Sequence, residues 1–248
     1  MAWYKEWFGA DYLDLYAHRD EDEAAVQADF VERYLGPPEE PGKVLDLACG
    51  AGRHTAALRE RGYHVAGMDL SLTLLAHPPR VPSVAGDMCA LPFKEEAFDW
   101  VLNFFTSFGY FERERQNFRV LEEIVRVLTP KGRFLIDFLN RDRVLANLKE
   151  REDQEIGGRR VEIHRWFDTS TQRINKRIRL LETGSAAGAV GNSGASTYLE
   201  SVRAYTREEV TIGLRWAGLE VDQLFGNFHG ESFHNDSERL IIVGHRPV

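Results

Sequence analysis

The sequence predicts an α/β fold: a doubly wound sheet of about seven strands, mostly parallel, with an antiparallel hairpin at its C-terminal end. Two observations lead there. From Lys43 to Leu139 short apolar runs alternate with helical segments, which requires parallel pairing through right-handed crossovers. After about residue 150 three strand-like runs follow one another with no helix between them, which points to an antiparallel sheet inserted into that core. The expected organisation is therefore an N-terminal helical lid over 1–40, a core from 41–150 and 205–248, and an inserted β subdomain at 151–204.

The elements follow in order. Val26, Phe30, Val31, Tyr34 and Leu35 recur at helical spacing until Gly36-Pro37-Pro38 ends the pattern. Ahead of them stand Trp3, Tyr4, Trp7, Phe8, Tyr12 and Tyr16, too apolar a set for a free tail, so this lead is expected to pack over something. Val44–Leu47 reads as a strand, Arg53–Arg61 as a helix and Tyr63–Met68 as a second strand. Ser71 is placed to cap a short helix that must stop before Pro78, Pro79 and Pro82. Val84-Ala85 and Phe98–Phe105 are the third and fourth strands. Leu121, Ile124, Val125 and Leu128 mark a helix face ended by Thr129-Pro130-Lys131-Gly132, and Arg133–Leu139 is the fifth strand.

In the insertion, Arg160–Phe167 and Arg173–Leu181 flank a hairpin turn at Asp168–Thr171. Gly184–Gly194 is a loop by composition, and Tyr198–Tyr205 resumes as a strand. Thr206 with Glu209 forms a capping box for a helix through Trp216, before final strands at Leu219–Phe225 and Arg239–Gly244.

Composition narrows the function classes. With 43% hydrophobic and 28% charged residues the chain can bury a sizeable core. No apolar run approaches the roughly 18 residues of a membrane span. The N-terminus lacks the pattern of a signal peptide, and Cys49 and Cys89 make no disulfide framework, so a cytoplasmic location with reduced thiols is expected. The net charge of −8 argues against a nucleic-acid partner. The denser basic stretch Arg173, Lys176, Arg177 and Arg179 reads as a solvated strand face.

The strongest motif is Val44-Leu45-Asp46-Leu47-Ala48-Cys49-Gly50-Ala51-Gly52-Arg53-His54, an apolar strand, a turn with glycines two apart, and a helix. Such glycines let a ligand approach the backbone, and the helix start offers N–H groups. A dinucleotide site would want a third glycine where Thr55 stands. Asp46, embedded in the strand, suits a ligand bearing an ammonium and a sulfonium rather than two phosphates. Asp69 closes the second strand, where it can accept both hydroxyls of a ribose. Asp87 ends the third; its carboxylate can take an adenine amino hydrogen while the Met88 N–H donates to the ring. The fourth strand runs through Asn103 into Phe104-Phe105-Thr106-Ser107-Phe108-Gly109-Tyr110. Each feature has an ordinary structural explanation, a capping Asp or a packed aromatic, but all four end neighbouring strands on one sheet edge.

On these residues the chain, from about Pro41 to Leu139, resembles the class I S-adenosylmethionine-dependent methyltransferases, and most closely small-molecule enzymes of the methyltransferase type 11 or 25 kind. The resemblance implies a Rossmann-like fold, S-adenosyl-L-methionine as cofactor with S-adenosyl-L-homocysteine as product, and methyl transfer to an N or O atom of a small-molecule acceptor. It implies cofactor contacts from Asp46 (through the turn or a water), Ala48, Gly50, Gly52, Asp69, Leu70, Asp87, Met88, Asn103, Phe104 and Tyr16. Tyr12, Ser107, Tyr110, His229 and His234 are expected near the acceptor. The alternatives are a non-catalytic cofactor-binding protein, or a methyltransferase acting on RNA or protein.

A sulfonium methyl is already activated, so a base matters only for an acceptor that arrives protonated. Asp137, Tyr110, Tyr205, His229 and His234 are the groups that could serve, and none is singled out. The His229–Asp236 run lacks the spacing of a helical zinc site, so no metal is expected.

Overall fold

A computed structural model describes residues 2–16, 21–40, 42–182 and 195–248. Helices α1 (Tyr4–Trp7), α2 (Ala10–Leu15) and α3 (Glu21–Leu35) precede the sheet. The core then runs β1 (Lys43–Leu47), α4 (Arg53–Glu60), β2 (His64–Asp69), α5 (Leu72–Ala76), β3 (Ser83–Ala85), β4 (Phe98–Asn103), α6 (Glu114–Val127), β5 (Leu128–Leu139) and α7 (Arg141–Ala146). It resumes with α8 (Arg207–Ala217), β10 (Glu220–Phe225) and β11 (Arg239–His245).

The seven strands lie in the order β10-β11-β5-β4-β1-β2-β3, parallel except for β11, which pairs antiparallel with both neighbours. Reversal of strand order between β1 and β4 is the switch point where such sheets open a crevice at their carboxyl ends.

Alternation along the central strands explains why helices cover both faces. Leu45, Leu47, Val101, Phe134, Ile136 and Phe138 pack under α6 and α8. Their neighbours Val44, Trp100, Leu102 and Leu135 pack with Phe30, Val31 and Leu58 of α3 and α4. The Ser71 hydroxyl caps α5 by accepting from the Leu74 N–H, and Thr206 with Glu209 forms the reciprocal capping box of α8.

The insertion is a second sheet, β6 (Arg151–Ile156), β7 (Arg159–Asp168), β8 (Arg173–Glu182) and β9 (Ser196–Arg203), antiparallel throughout. It has four strands where the sequence suggested three. β6 escaped notice because Arg-Glu-Asp-Gln-Glu-Ile has no apolar alternation; it is an edge strand held by its backbone ladder to β7. The turn joining them, Gly157-Gly158, has positive φ at both positions, the geometry that matches strand twist in a two-residue hairpin. The short α7 was also not expected. Thr129-Pro130-Lys131-Gly132, expected as a stop between helix and strand, lies within the span of β5 as an irregularity in its pairing with β4. The expected loop at Gly184–Gly194 lies outside the described residues.

Trp7 and Leu15 of the first two helices pack on Val161, Ile163, Ile178 and Leu180 of the inserted sheet, a third core separate from the two that flank the main sheet. Among the described residues no helix is long and apolar enough to cross a membrane.

Candidate functional site

A cavity of about 710 Å³ opens at the carboxyl ends of β1, β2, β3 and β4, roofed by α1 and α2 and closed on one side by β9. That volume lies within the roughly 300–1,000 Å³ of small-molecule sites.

Its floor is the turn after β1. Ala48, Gly50 and Gly52 all have positive φ, a conformation natural to glycine and uncommon for alanine. The turn is anchored by Asp69, whose two carboxylate oxygens accept from the Gly50 and Ser71 N–H groups, each at 2.8 Å. Burial raises the Asp69 pKa, opposed by these backbone donors. Gly67 is fixed by close packing, since a Cβ there would lie 2.6 Å from Cys49 Sγ.

Asp46, expected to act through the turn or a water, stands behind this floor, and so do Asn103 and Gly52, which were expected beside the cofactor. Asp46 is 1% exposed, does not border the cavity, and accepts from the Thr55 hydroxyl at 2.6 Å. Thr55, where a dinucleotide site would carry glycine, therefore serves as the partner of that buried acid. Burial pushes the Asp46 carboxyl up to about 6, with the Asp69 charge adding and the Thr55 hydroxyl opposing. Asn103 is buried too, its Nδ2 donating to the Leu47 carbonyl at 2.8 Å and so tying the end of β4 to the start of the turn. Gly52 is the left-handed N-cap of α4, packed so closely on Val81 that a Cβ would lie 2.4 Å from its Cγ2. All three shape the floor without lining it.

Ala48, Gly50, Asp69, Leu70, Asp87, Met88 and Phe104 do border the cavity. One oxygen of Asp87 accepts from the Cys89 N–H at 2.9 Å. Phe104 stacks on His54, with ring centroids 4.1 Å apart. His54 is buried against Gln27 Oε1, and burial, with the nearby Arg53 charge, lowers its pKa well below the ordinary histidine value.

Tyr12, Tyr16, Ser107 and Tyr110 also border the cavity, whereas His229 and His234 do not. Both histidines are exposed on the loop between β10 and β11, whose backbone is held by Arg33 and Asn140. Their spacing on the sequence carried no information about which way the loop faces.

Asp137 does not border the cavity and serves to hold its wall. It is 1% exposed; one oxygen takes the Arg239 Nε–H at 2.7 Å and the other the Phe105 N–H at 2.9 Å. Arg239 also donates to the Thr106 hydroxyl at 2.9 Å. Phe105 and Thr106 both have φ of 58°, a strained conformation for a bulky and a β-branched residue. Asp137 and Arg239 are thus the brace of a strained loop in the cavity wall. Tyr205 stacks on Phe108, bonds to Glu114 and stands off the cavity; burial raises its pKa.

The basic stretch of the insertion is no solvated face throughout. Arg173 is 8% exposed and donates to the carbonyls of Gly109, Tyr110, Phe111 and Ser201. It fastens the loop after β4 to the inserted sheet. Lys176 reaches the Tyr16 hydroxyl.

Four polar cavity residues that sequence reasoning did not single out bear on the site's chemistry. Arg53 lies 4.4 Å over the Phe105 ring and pairs with Glu23 at 2.8 Å. His54 adjoins it in the glycine motif. Arg239 and Glu200 come from strands far along the chain, and no local pattern marked them.

A methyltransferase domain model matches residues 44–132. The cypemycin N-terminal methyltransferase of Streptomyces sp is 26% identical over 249 residues, covering 90% of this chain and 96% of that protein. An S-adenosylmethionine-dependent methyltransferase from Clostridium acetobutylicum superposes with a TM-score of 0.77 at 16% identity, over 95% of this chain and 96% of that one. The sugar N-methyltransferase KedS8 from Streptoalloteichus sp does so with a TM-score of 0.73 at 22% identity, over 97% and 94%. Matched domain, fold and relatives agree: residues 44–132 match a methyltransferase domain, and the chain as a whole shares the fold of S-adenosylmethionine-dependent methyltransferases.

Proposed function

We propose that this cavity binds S-adenosylmethionine along the strand ends and that the chain passes its methyl group to an N or O atom of a small molecule entering under the N-terminal helices. The observation that carries the reading is the sharing of one cavity by the glycine turn, Asp69, Asp87 and the aromatic side chains of residues 3–16. The residues fit the cofactor. Two carboxylates face the cavity from neighbouring strand ends for the ribose and the adenine, and the turn at 48–51 with Arg53 receives the amino-acid end. Asp46, Asn103 and Gly52 act at one remove, by fixing the turn.

Bound there, the cofactor supplies an already activated methyl group. The chain's own contribution is geometry. Phe104 and the braced loop at Phe105–Ser107 set the wall beside the reacting atoms, while Trp3, Tyr4 and Phe8 exclude water from above. Such positioning is worth roughly 7–11 kcal/mol of barrier. A neutral amine needs no base, consistent with the position of Asp137, His229 and His234 off the cavity lining. Similar proteins named as a sugar N-methyltransferase and as the cypemycin N-terminal methyltransferase favour nitrogen over oxygen.

The test is incubation with methyl-labelled cofactor and a panel of small amines and alcohols, with mass spectrometry of the products. Label in a small amine is expected. Label found only on added RNA or on protein would contradict the small-acceptor reading, and cofactor binding with no transfer to any compound would favour the non-catalytic alternative.

A further inference from the structure

Glu200 is the only carboxylate that the inserted sheet brings to the cavity wall among the described residues. Its surroundings are unusually ordered for a side chain contributed by a peripheral sheet. Oε1 accepts from the Trp7 indole N–H at 2.7 Å and from the Tyr16 hydroxyl at 3.0 Å. Oε2 has Lys176 Nζ at 3.7 Å, beyond hydrogen-bond reach, and no donor within that reach among the described residues. One oxygen is therefore fixed by two residues of the roof, and the other is left able to accept. Lys176 itself is turned toward the Tyr16 hydroxyl and lies 4.9 Å from its ring.

We infer that Glu200 is an acceptor-binding, specificity-determining residue, and that Oε2 accepts an N–H of an aliphatic amine held among Tyr12, Tyr16 and Tyr110. This rests on the methyltransferase reading and adds to it the acceptor's class and its anchor. The physical reason for an amine is charge. As the nitrogen lone pair forms the new C–N bond and the methyl C–S bond breaks with its electron pair left on the cofactor's sulfur, the nitrogen becomes positive, its N–H donors strengthen, and the extra proton is lost to solvent after release. A carboxylate already held in place stabilises that change without reorganising. The faces of Tyr12, Tyr16 and Tyr110 act in the same direction, since aromatic rings attract cations. An alcohol offers one donor and gains less, and a carboxylic acid meets Glu200 as a like charge.

The test compares cyclohexylamine with cyclohexanol, two probes of matched shape, by calorimetry on the full chain saturated with S-adenosylhomocysteine. The amine is expected to bind at least about tenfold more tightly than the alcohol, as a hydrogen bond to a charged group allows. In Glu200→Gln, which keeps an oxygen for Trp7 and Tyr16, that preference is expected to fall to within about twofold while affinity for S-adenosylhomocysteine is unchanged. A purely structural role for Glu200 would not move the ratio. Equal binding of the two probes by the wild type, binding of neither, or an undiminished preference in Glu200→Gln would each overturn the assignment. Failure of S-adenosylhomocysteine to bind in the first place would instead remove the cofactor reading on which it rests.

Discussion

The side of the cavity proposed for the cofactor is framed by backbone at the ends of four neighbouring strands, whereas the side proposed for the acceptor is framed by side chains gathered from residues 3–16, 105–110 and 200–202. The first needs only local features, a tight turn and an acid at each strand end, and the sheet itself aligns them. The second exists only when three distant segments dock, and it is held by long-range polar contacts such as those of Arg173 and Glu200. Proteins that share the first can differ freely in the second, because loop and insertion changes leave the sheet intact. Four substitutions separate the two sides.

The largest effect is expected on the acceptor side. Arg173→Met removes the guanidinium that donates to four carbonyls; those of Gly109 and Phe111 keep the Arg203 N–H and the Asn117 amide, while those of Tyr110 and Ser201 lose charge-assisted bonds worth roughly 1.5–3 kcal/mol each, so a loss of about 3–4 kcal/mol is expected. Thermal unfolding should show it, and the KM for the acceptor should rise while affinity for S-adenosylhomocysteine holds. Equal damage to both sites would erase the distinction between them.

Asp69→Ala is the reverse case. It removes the acceptor of the Gly50 and Ser71 N–H groups along with the proposed ribose ligand. Cofactor affinity measured by calorimetry should fall about 100-fold, or 2.7 kcal/mol, with the inserted sheet unaffected by circular dichroism.

Asp46→Asn probes the layer behind the turn. Because the folded protein holds the Asp46 proton up to about 6, against an ordinary 3.8, the unfolded chain ionises first as pH rises. Stability due to this group is therefore unpenalised below about pH 4, falls between pH 4 and 6, and stays lowered above, by roughly 3 kcal/mol. The asparagine keeps an oxygen for Thr55 and carries no charge. It should melt higher than the wild type at pH 8 and equally near pH 4; a lower melting point at pH 8 would contradict the account.

The smallest effect is expected at the border of the two sides. Asp137→Asn weakens the brace on Phe105 and Thr106, and kcat should fall about tenfold (1.4 kcal/mol) with cofactor affinity little changed. Adding Thr106→Gly, which removes the strain at φ 58°, should recover part of that loss.

The same division governs what the sequence reveals. The parallel core is legible because Val44–Leu47, Phe98–Asn103 and Arg133–Leu139 are buried on both faces and read as apolar runs. Asp69 and Asp87 are legible because strand ends carry their position with them. Asp46 and Asn103 read like cofactor ligands, since a polar residue in a strand signals a special environment but not which way its side chain is turned. β6 is illegible because an edge strand can consist of charged residues, and Glu200 because its partners Trp7 and Tyr16 lie some 190 residues away. Arg173 resembled a solvated charge; only the docking of Gly109–Phe111 against β8 and β9 reveals its purpose.

Titration of the purified chain with S-adenosylhomocysteine by calorimetry tests the central claim most directly. The account predicts micromolar binding of one molecule per chain, lost in Asp69→Ala and unaffected by NAD. Absence of binding, or competition by NAD, would contradict the assignment of this cavity to S-adenosylmethionine.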